Sequence, residues 1–256
     1  MPSSETLPRA AVPHTPVPQT LRIGPFRVKS FGAQALASQL YRQLALGRRT
    51  ELFFANTNFV VTCQEFAQRF NGPGITVVND GIGMDLAAKL MHGRRFQENL
   101  NGTDFIPRLL VNSPLPLRVF LYGARPEVVR EASRAVETRF GQEVVGAISG
   151  YGVPDSVVCE RIRASQPDVV LVALGNPLQE QWILDHADVL PPALYVGVGA
   201  LFDFLANKAV RAPLWVRKLR LEWLFRLLQE PRRLWKRYTV DAFRFFRICA
   251  AARAQA

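Results

Sequence analysis

Short apolar segments alternate with amphipathic, helix-like segments through most of this chain. The apolar segments are rich in β-branched and aromatic residues; they are PFRVKSF (25–31), ELFFANTN (51–58), GITVVND (74–80), LPLRVFLYG (115–123), QEVVGAI (142–148), PDVVLVALG (167–175) and ALYVGVG (193–199). Helix-like segments lie at 33–46, 60–70, 126–140, 154–164 and 177–188, with a short one after residue 199. Apolar strands that alternate with helices are typical of a parallel sheet covered on both sides. The sequence therefore predicts an α/β fold, a Rossmann-like mostly parallel sheet with helices on both faces.

Composition excludes several classes of protein. With 256 residues, 48% hydrophobic and 21% charged, the chain can bury one sizeable core. Its three cysteines and three histidines are scattered, so neither a disulfide framework nor a zinc site is indicated, and a reducing cytosol fits. The sequence contains no run of eighteen apolar residues, so no membrane-spanning helix is predicted. Residues 1–20 hold five prolines and no apolar block, which predicts a disordered leader rather than a signal peptide.

Positive charge is concentrated at the C-terminal end. The whole chain carries a formal charge of +11, and residues 207–256 contain 13 basic against three acidic side chains, which gives +10. Such a segment is expected to seek an anionic partner. We therefore divide the chain into the leader (1–20), a core domain (21–206) and a basic amphipathic C-terminal segment (207–256), called the tail below.

The ends of the predicted strands suggest a ligand site. In parallel sheets, ligands bind beyond the carboxyl ends of the strands, where turns lead into helix N-termini. Gly123 and Gly175 form such turns ahead of helices that Pro126 and Pro177 would open, and free N–H groups there can hold a phosphate. Each glycine turn alone could be a simple connector. Together with Asn58 and Asp80 at earlier strand ends, they indicate a site for a nucleotide or another phosphate-bearing ligand.

The tail has two faces if it is helical. At about 100° per residue, apolar and basic side chains beyond Pro231 occupy separate arcs; the apolar set is Leu234, Trp235, Tyr238, Ala242, Phe245 and Phe246, and the basic set is Arg233, Lys236, Arg237, Arg244 and Arg247. This pattern favours attachment to an anionic membrane surface. The alternative is a helix that docks its apolar face on the core. Nucleic acid is not expected as a partner, because aromatic and basic residues are not interleaved. Exposed tryptophans in an undocked tail would favour a homo-oligomer.

Several motifs together resemble one enzyme family. NDGIGMDLAAKL, NGTDFIPRLL, VFLYGARPEVV, ALGNPLQEQWI and the long stretch from GVGALFDF to RRLWKRY are similar to the successive motifs of the WecG/TagA/CpsF glycosyltransferases. The resemblance extends over about residues 22–247. It implies an inverting transfer of a sugar from a UDP-sugar donor to a sugar on a polyprenyl diphosphate in bacterial surface or exopolysaccharide assembly. It also implies a peripheral enzyme at the cytoplasmic face of the inner membrane, with a C-terminal appendage that meets the membrane.

The resemblance assigns a role to Asp80. The aspartate of the Asp-Gly-Ile-Gly turn is the family's proposed general base, and an inverting displacement needs a carboxylate beside the acceptor hydroxyl. Asn58 matches a family asparagine expected to contact substrate. Asn56 stands where threonine is usual, and the connection from Asn58 to Asp80 is shorter than usual. These departures bear on which donor and acceptor are used.

Further residues match family positions near the substrates. Gln179 matches a glutamine thought to contact the sugar, with a water-facing helix residue as the alternative. Thr103 and Asp104 match a loop beside the site, although Asp104 could equally cap a helix from Phe105. In the tail, the residues expected to meet the diphosphate or the membrane are Arg226, Arg233 and Lys236, the last standing where arginine is commoner.

No metal is expected at this site. The chain contains no Asp-x-Asp motif, so we predict metal-independent transfer without a cofactor, in which arginines and helix N-termini neutralise the leaving UDP. Neither the transferred sugar nor the pathway follows from the sequence; exopolysaccharide assembly with a neutral hexose is weakly favoured. The alternative function is a non-catalytic sugar-nucleotide-binding scaffold or sensor recruited to the membrane.

Overall fold

The computed structural model describes residues 18–213, 215–216 and 221–254, apart from the side chains of Arg233 and Ala254. The predicted leader therefore lies outside the described residues except at its last three positions. Arg217, Lys218 and Arg220 of the tail also lie outside the described residues.

Within the described residues, eight strands form one sheet in the order β1-β2-β4-β3-β8-β7-β5-β6. β1 and β2 pair antiparallel, and every other pairing is parallel. The strands are β1 (Gln19–Ile23), β2 (Phe26–Ser30), β3 (Thr50–Ala55), β4 (Ile75–Asn79), β5 (Arg118–Gly123), β6 (Glu143–Ile148), β7 (Val169–Ala173) and β8 (Leu194–Gly197). The predicted α/β, mostly parallel Rossmann-like architecture is confirmed.

Helices cover both faces of the sheet. They are α1 (Ala33–Ala45), α2 (Thr57–Thr62), α3 (Ile82–His92), α4 (Gly102–Val111), α5 (Pro126–Phe140), α6 (Asp155–Ser165), α7 (Leu178–Asp185), α8 (Leu201–Leu205), α9 (Glu222–Gln229), α10 (Pro231–Tyr238) and α11 (Val240–Ala254). Two buried apolar clusters lie on opposite sides. One contains residues of α2, α3, α6, α7 and α11, and the other contains residues of α1, α4, α5 and α8. None of the described helices combines the length and the apolar character that a transmembrane span requires.

Two N-terminal predictions differ from the structure. The helix expected at 60–70 is two elements that meet at Cys63: α2, which Asn56 caps so that it begins at Thr57, and a 3-10 helix at Gln64–Asn71. The 3-10 helix is itself kinked at Phe66. Strand β1 was not predicted. It begins inside the expected leader and forms an edge of the sheet. There it pairs with one strand, β2, to which it is connected by a turn through Gly24 (φ +57°).

The expected continuous two-faced helix of the tail is wrong. Thr239 has non-helical backbone angles (φ −114°, ψ −80°) and separates α10 from α11. Phe245 and Cys249 of α11 are buried against the core, where the helix contacts α2 and α3. The docking alternative therefore describes α11. The ring of Trp223 on α9 lies 5.6 Å from that of Tyr238 on α10, so these two helices pack on each other.

Candidate active site

Asp80 and Asn56 leave the sheet side by side at its carboxyl edge. Ala55 at the end of β3 pairs with Asn79 at the end of β4, so the next residues on the two strands are neighbours. The Asn56 side-chain oxygen accepts a 3.0 Å hydrogen bond from the Phe59 N–H and caps α2. The Asn56 side chain also hydrogen-bonds to the Asp80 carboxylate, which can only accept. The residue that departs from the family pattern thus orients the predicted base.

The Asp-Gly-Ile-Gly turn holds Asp80 in a fixed position. The Asp80 N–H donates to the Ala55 carbonyl at 2.7 Å, and the Gly81 N–H donates to Asn99 Oδ1 at 2.6 Å. Gly81 has φ +90°, a backbone conformation that residues with a Cβ rarely adopt. A Cβ at Gly83 would overlap the methyl group of Thr57 at the start of α2. Gly81 therefore permits the backbone conformation of the turn, and Gly83 permits the close approach of α3 to α2.

The environment of Asp80 raises its pKa to about 6, chiefly because burial removes water from the carboxylate. The Asn56 hydrogen bond opposes this rise. Glu222 raises the pKa further, whereas Arg237 and Arg226 lower it. These three residues belong to α9 and α10, so the tail closes over the end of β4. At neutral pH the carboxyl is ionised, yet it is more basic than an ordinary aspartate.

Arg211 ties the start of the tail to the predicted loop at Thr103 and Asp104. Its Nη2 lies 2.7 Å from Asp104 Oδ1 and donates to Thr103 Oγ1 at 3.0 Å. Asn101, not Asp104, caps α4, since its side-chain oxygen accepts from the Thr103 N–H at 2.8 Å. The capping alternative for Asp104 is therefore wrong.

The ring of Phe204 links this loop to the tail. The guanidinium carbons of Arg211 and Arg226 lie 5.8 and 5.7 Å from its centroid, within cation–π range. Because Arg226 also lowers the pKa of Asp80, the loop at Thr103 and Asp104 and the predicted base lie on the same side of the tail.

A second part of the edge lies at the ends of β5 and β7. These strands are neighbours, and the helices that follow them, α5 and α7, pack on opposite faces of the sheet. Such a divergence opens a crevice that binds nucleotides in other α/β proteins. Gly123 (φ +128°) and Gly175 (φ +79°) line it, and a Cβ at Gly123 would overlap the Ala173 backbone. From β4 to β7 the sheet spans three strand spacings, about 14 Å, a distance that an extended nucleotide sugar can bridge.

Gln179 is buried and links the start of α7 to the turn that follows β8. Its Oε1 accepts from the Gly199 N–H at 2.9 Å, and its Nε2 donates to Glu180 Oε1 at 2.8 Å. The water-facing alternative is therefore wrong, and the expected sugar contact stays a prediction. The position next to the turn after β8 brings Gln179 to the same edge as Asp80.

Glu180, the next residue on α7, is also buried. Its Oε1 also accepts from Asn176 Nδ2 at 2.8 Å. Desolvation raises its pKa to about 7 against the effect of both hydrogen bonds. Only the adjacency of Gln and Glu in Gly-x-Pro-x-Gln-Glu could have drawn attention to it.

The remaining predicted residues are placed as follows. Asn58 lies partly buried in the first turn of α2, at the same edge as Asp80. Lys236 is exposed on α10, and the side chain of Arg233 lies outside the described structure. Sequence reasoning missed Arg211 and Glu222, and it assigned Arg237 only to the basic side of the tail and not to the surroundings of Asp80. Among the described residues no group of three or more His, Cys, Asp or Glu could hold a metal ion, and metal-independent transfer stays a prediction.

Comparisons with known proteins agree with these motifs. Residues 21–256 match the model of the Glycosyl transferase WecG/TagA/CpsF family. The chain is 34% identical over 163 residues to the N-acetylglucosaminyldiphosphoundecaprenol N-acetyl-beta-D-mannosaminyltransferase of Bacillus subtilis (strain 168). It is 38% identical over 163 residues to the enzyme of the same name from Bacillus spizizenii. Each alignment covers 63% of this chain and 63% of the relative. The chain belongs to the WecG/TagA/CpsF family of glycosyltransferases.

Proposed function

We propose that this chain is an inverting glycosyltransferase that moves a hexose or N-acetylhexosamine-type sugar from a UDP-sugar to a sugar on a polyprenyl diphosphate. The names of the Bacillus relatives support N-acetylglucosamine on the lipid as the acceptor. The observation that carries the proposal is the Asp80 carboxylate, held by Asn56 at the sheet edge under the arginines of the tail.

Asp80 acts as the general base in this proposal. The acceptor hydroxyl oxygen attacks the anomeric carbon of the donor, the bond from that carbon to the UDP oxygen breaks, and the hydroxyl proton passes to Asp80. A base works best when its pKa approaches the working pH while it remains ionised. A pKa of about 6 meets both conditions near pH 7. The Asn56 hydrogen bond keeps the carboxylate aimed at one point.

The leaving UDP gains negative charge as the bond breaks. Arg226 and Arg237 lie close enough to Asp80 to change its pKa, so they can also stabilise charge on a diphosphate beside it. At the other end of the donor, the crevice between β5 and β7 offers the N-termini of α5 and α7. Because the chain lacks an Asp-x-Asp motif, we propose that these groups replace a metal ion.

The acceptor lipid requires contact with a membrane. The tail carries a formal charge of +10 and exposes Trp223 and Trp235. Basic side chains near an anionic leaflet contribute about 1 kcal/mol each, and tryptophan favours the headgroup region. We propose peripheral attachment at the cytoplasmic face of the inner membrane.

The test is a transfer assay with purified protein. A panel of UDP-sugars that includes UDP-N-acetylmannosamine and UDP-glucose is incubated with a short-chain polyprenyl-diphosphate N-acetylglucosamine, and product mass is measured. One donor should extend the acceptor by one sugar. Asp188→Asn, at an exposed carboxylate remote from the described site residues, should work like the unchanged protein. Donor binding without product from any pair would favour the scaffold alternative.

A further inference from the structure

Helix α3 carries an exposed apolar strip on its outer side. Ile82, Leu86 and Leu90 are 44%, 47% and 58% exposed. Their spacing of four residues places them on one side of the helix, over a length of about 12 Å. The opposite side of the helix packs into the core through Met84, Ala87 and Ala88. The three exposed residues therefore do not contribute to the core. We call these three residues the α3 strip.

The exposed charges of α3 and of the two arginines that follow it are basic. The exposed side chains of α3 are apolar or basic, since Lys89 and His92 are the others that face solvent. Arg94 and Arg95 follow the helix and are also exposed. No acidic side chain of α3 is exposed. An apolar strip on a helix whose exposed charges are basic is suited to the boundary between anionic headgroups and acyl chains.

The α3 strip is continuous with the candidate active site and with the tail. Ile82 lies two residues after Asp80, where α9 and α10 meet the predicted base. At the other end of the helix, Arg253 Nη1 of α11 donates to the Leu90 carbonyl at 3.2 Å. The tail thus borders α3 at both ends.

We propose that the α3 strip lies in the interface of an anionic lipid bilayer, so that the core domain itself, and not only the tail, contacts the membrane. With Ile82 at the lipid boundary, Asp80 sits near the headgroups, where the sugar and diphosphate of a lipid-linked acceptor are found. This last point rests on the proposed function. Contact of the strip with the bilayer does not.

Vesicle binding tests the contact. The full chain and the double variant Leu86→Glu, Leu90→Glu are sedimented with vesicles of equal parts phosphatidylglycerol and phosphatidylcholine. The matched control is Leu46→Glu, Val111→Glu, which changes two similarly exposed apolar residues at the ends of α1 and α4. Two carboxylates should lower partition of the α3 variant at least about tenfold. The control should change it by no more than about twofold.

Two results would overturn the inference. One is equal partition of the α3 variant and the control, with circular dichroism showing that both are folded. The other is self-association of the full chain in solution that the α3 variant abolishes, because the strip would then be a protein–protein interface.

Activity separates this inference from the proposed function. If both are right, the α3 variant keeps its rate on a short-chain acceptor that is soluble without vesicles and loses rate on a vesicle-bound long-chain acceptor. If no donor and acceptor pair yields product while the partition difference remains, the proposed function fails and the membrane contact stands.

Discussion

The pKa of Asp80 predicts how transfer depends on pH. Burial raises this pKa to about 6, so the carboxylate accepts a proton on going from pH 7 to pH 5 and can no longer act as a base. A single group with this pKa is ionised to about 90% at pH 7 and about 10% at pH 5. The value of kcat/KM should therefore fall about tenfold between these pH values.

Initial rates with a soluble short-chain acceptor, measured from pH 4.5 to 8, would show this acid limb. Glu222 raises the pKa of Asp80, so Glu222→Gln should move the limb to lower pH. Glu160→Gln, at an exposed position on α6, should leave it in place. Glu180 also has a raised pKa of about 7, and the limb near pH 6 should persist in Glu180→Gln. A flat profile between pH 5 and 7, or a shift to higher pH in Glu222→Gln, would refute the assignment.

Three further predictions concern the parts that support the site. The folded-state pKa of Glu180 lies above its ordinary value of 4.5, so its contribution to stability is fully present below about pH 4.5 and is lost as pH rises through about 7. Urea unfolding should show a loss of about 3 kcal/mol over this range that Glu180→Gln lacks, and equal pH dependence of the two proteins would contradict it. Gly83→Ala should destabilise by about 1–3 kcal/mol because its Cβ meets the Thr57 methyl, and adding Thr57→Ser should restore most of the loss in thermal unfolding; no restoration would mean that another contact is responsible. Arg211→Gln should cost about 1 kcal/mol and speed limited proteolysis of the tail, since the 2.7 Å ion pair with Asp104 is lost; an unchanged cleavage pattern would count against that anchor.

The sheet and its carboxyl edge could be predicted from local pattern. Apolar runs such as 74–80 and 167–175 are too short and too β-branched for helices, and their alternation with helices requires parallel strands. Parallel strands end at one edge, so the polar residues after β3 and β4 had to meet there. The pairing of Asn56 with Asp80 is the outcome.

The tail could not be predicted in the same way. Which basic residues reach Asp80 depends on how α9 and α10 dock. Arg226, which the family resemblance had named, acts on Asp80, and so does Arg237, which the resemblance had not named. The helix break at Thr239 has no proline or glycine to mark it. Burial of Glu180 likewise depends on the packing of α7, because its position in the first turn is equally compatible with solvent.

The role of Asp80 is tested most directly by measuring donor binding and product formation in the same Asp80→Asn protein. The amide keeps the size of the side chain and removes the proton acceptor. The account predicts that calorimetry gives an affinity for the UDP-sugar within about threefold of the unchanged protein, while the rate of lipid-linked product formation falls at least about a hundredfold. Product formation at the unchanged rate would contradict it.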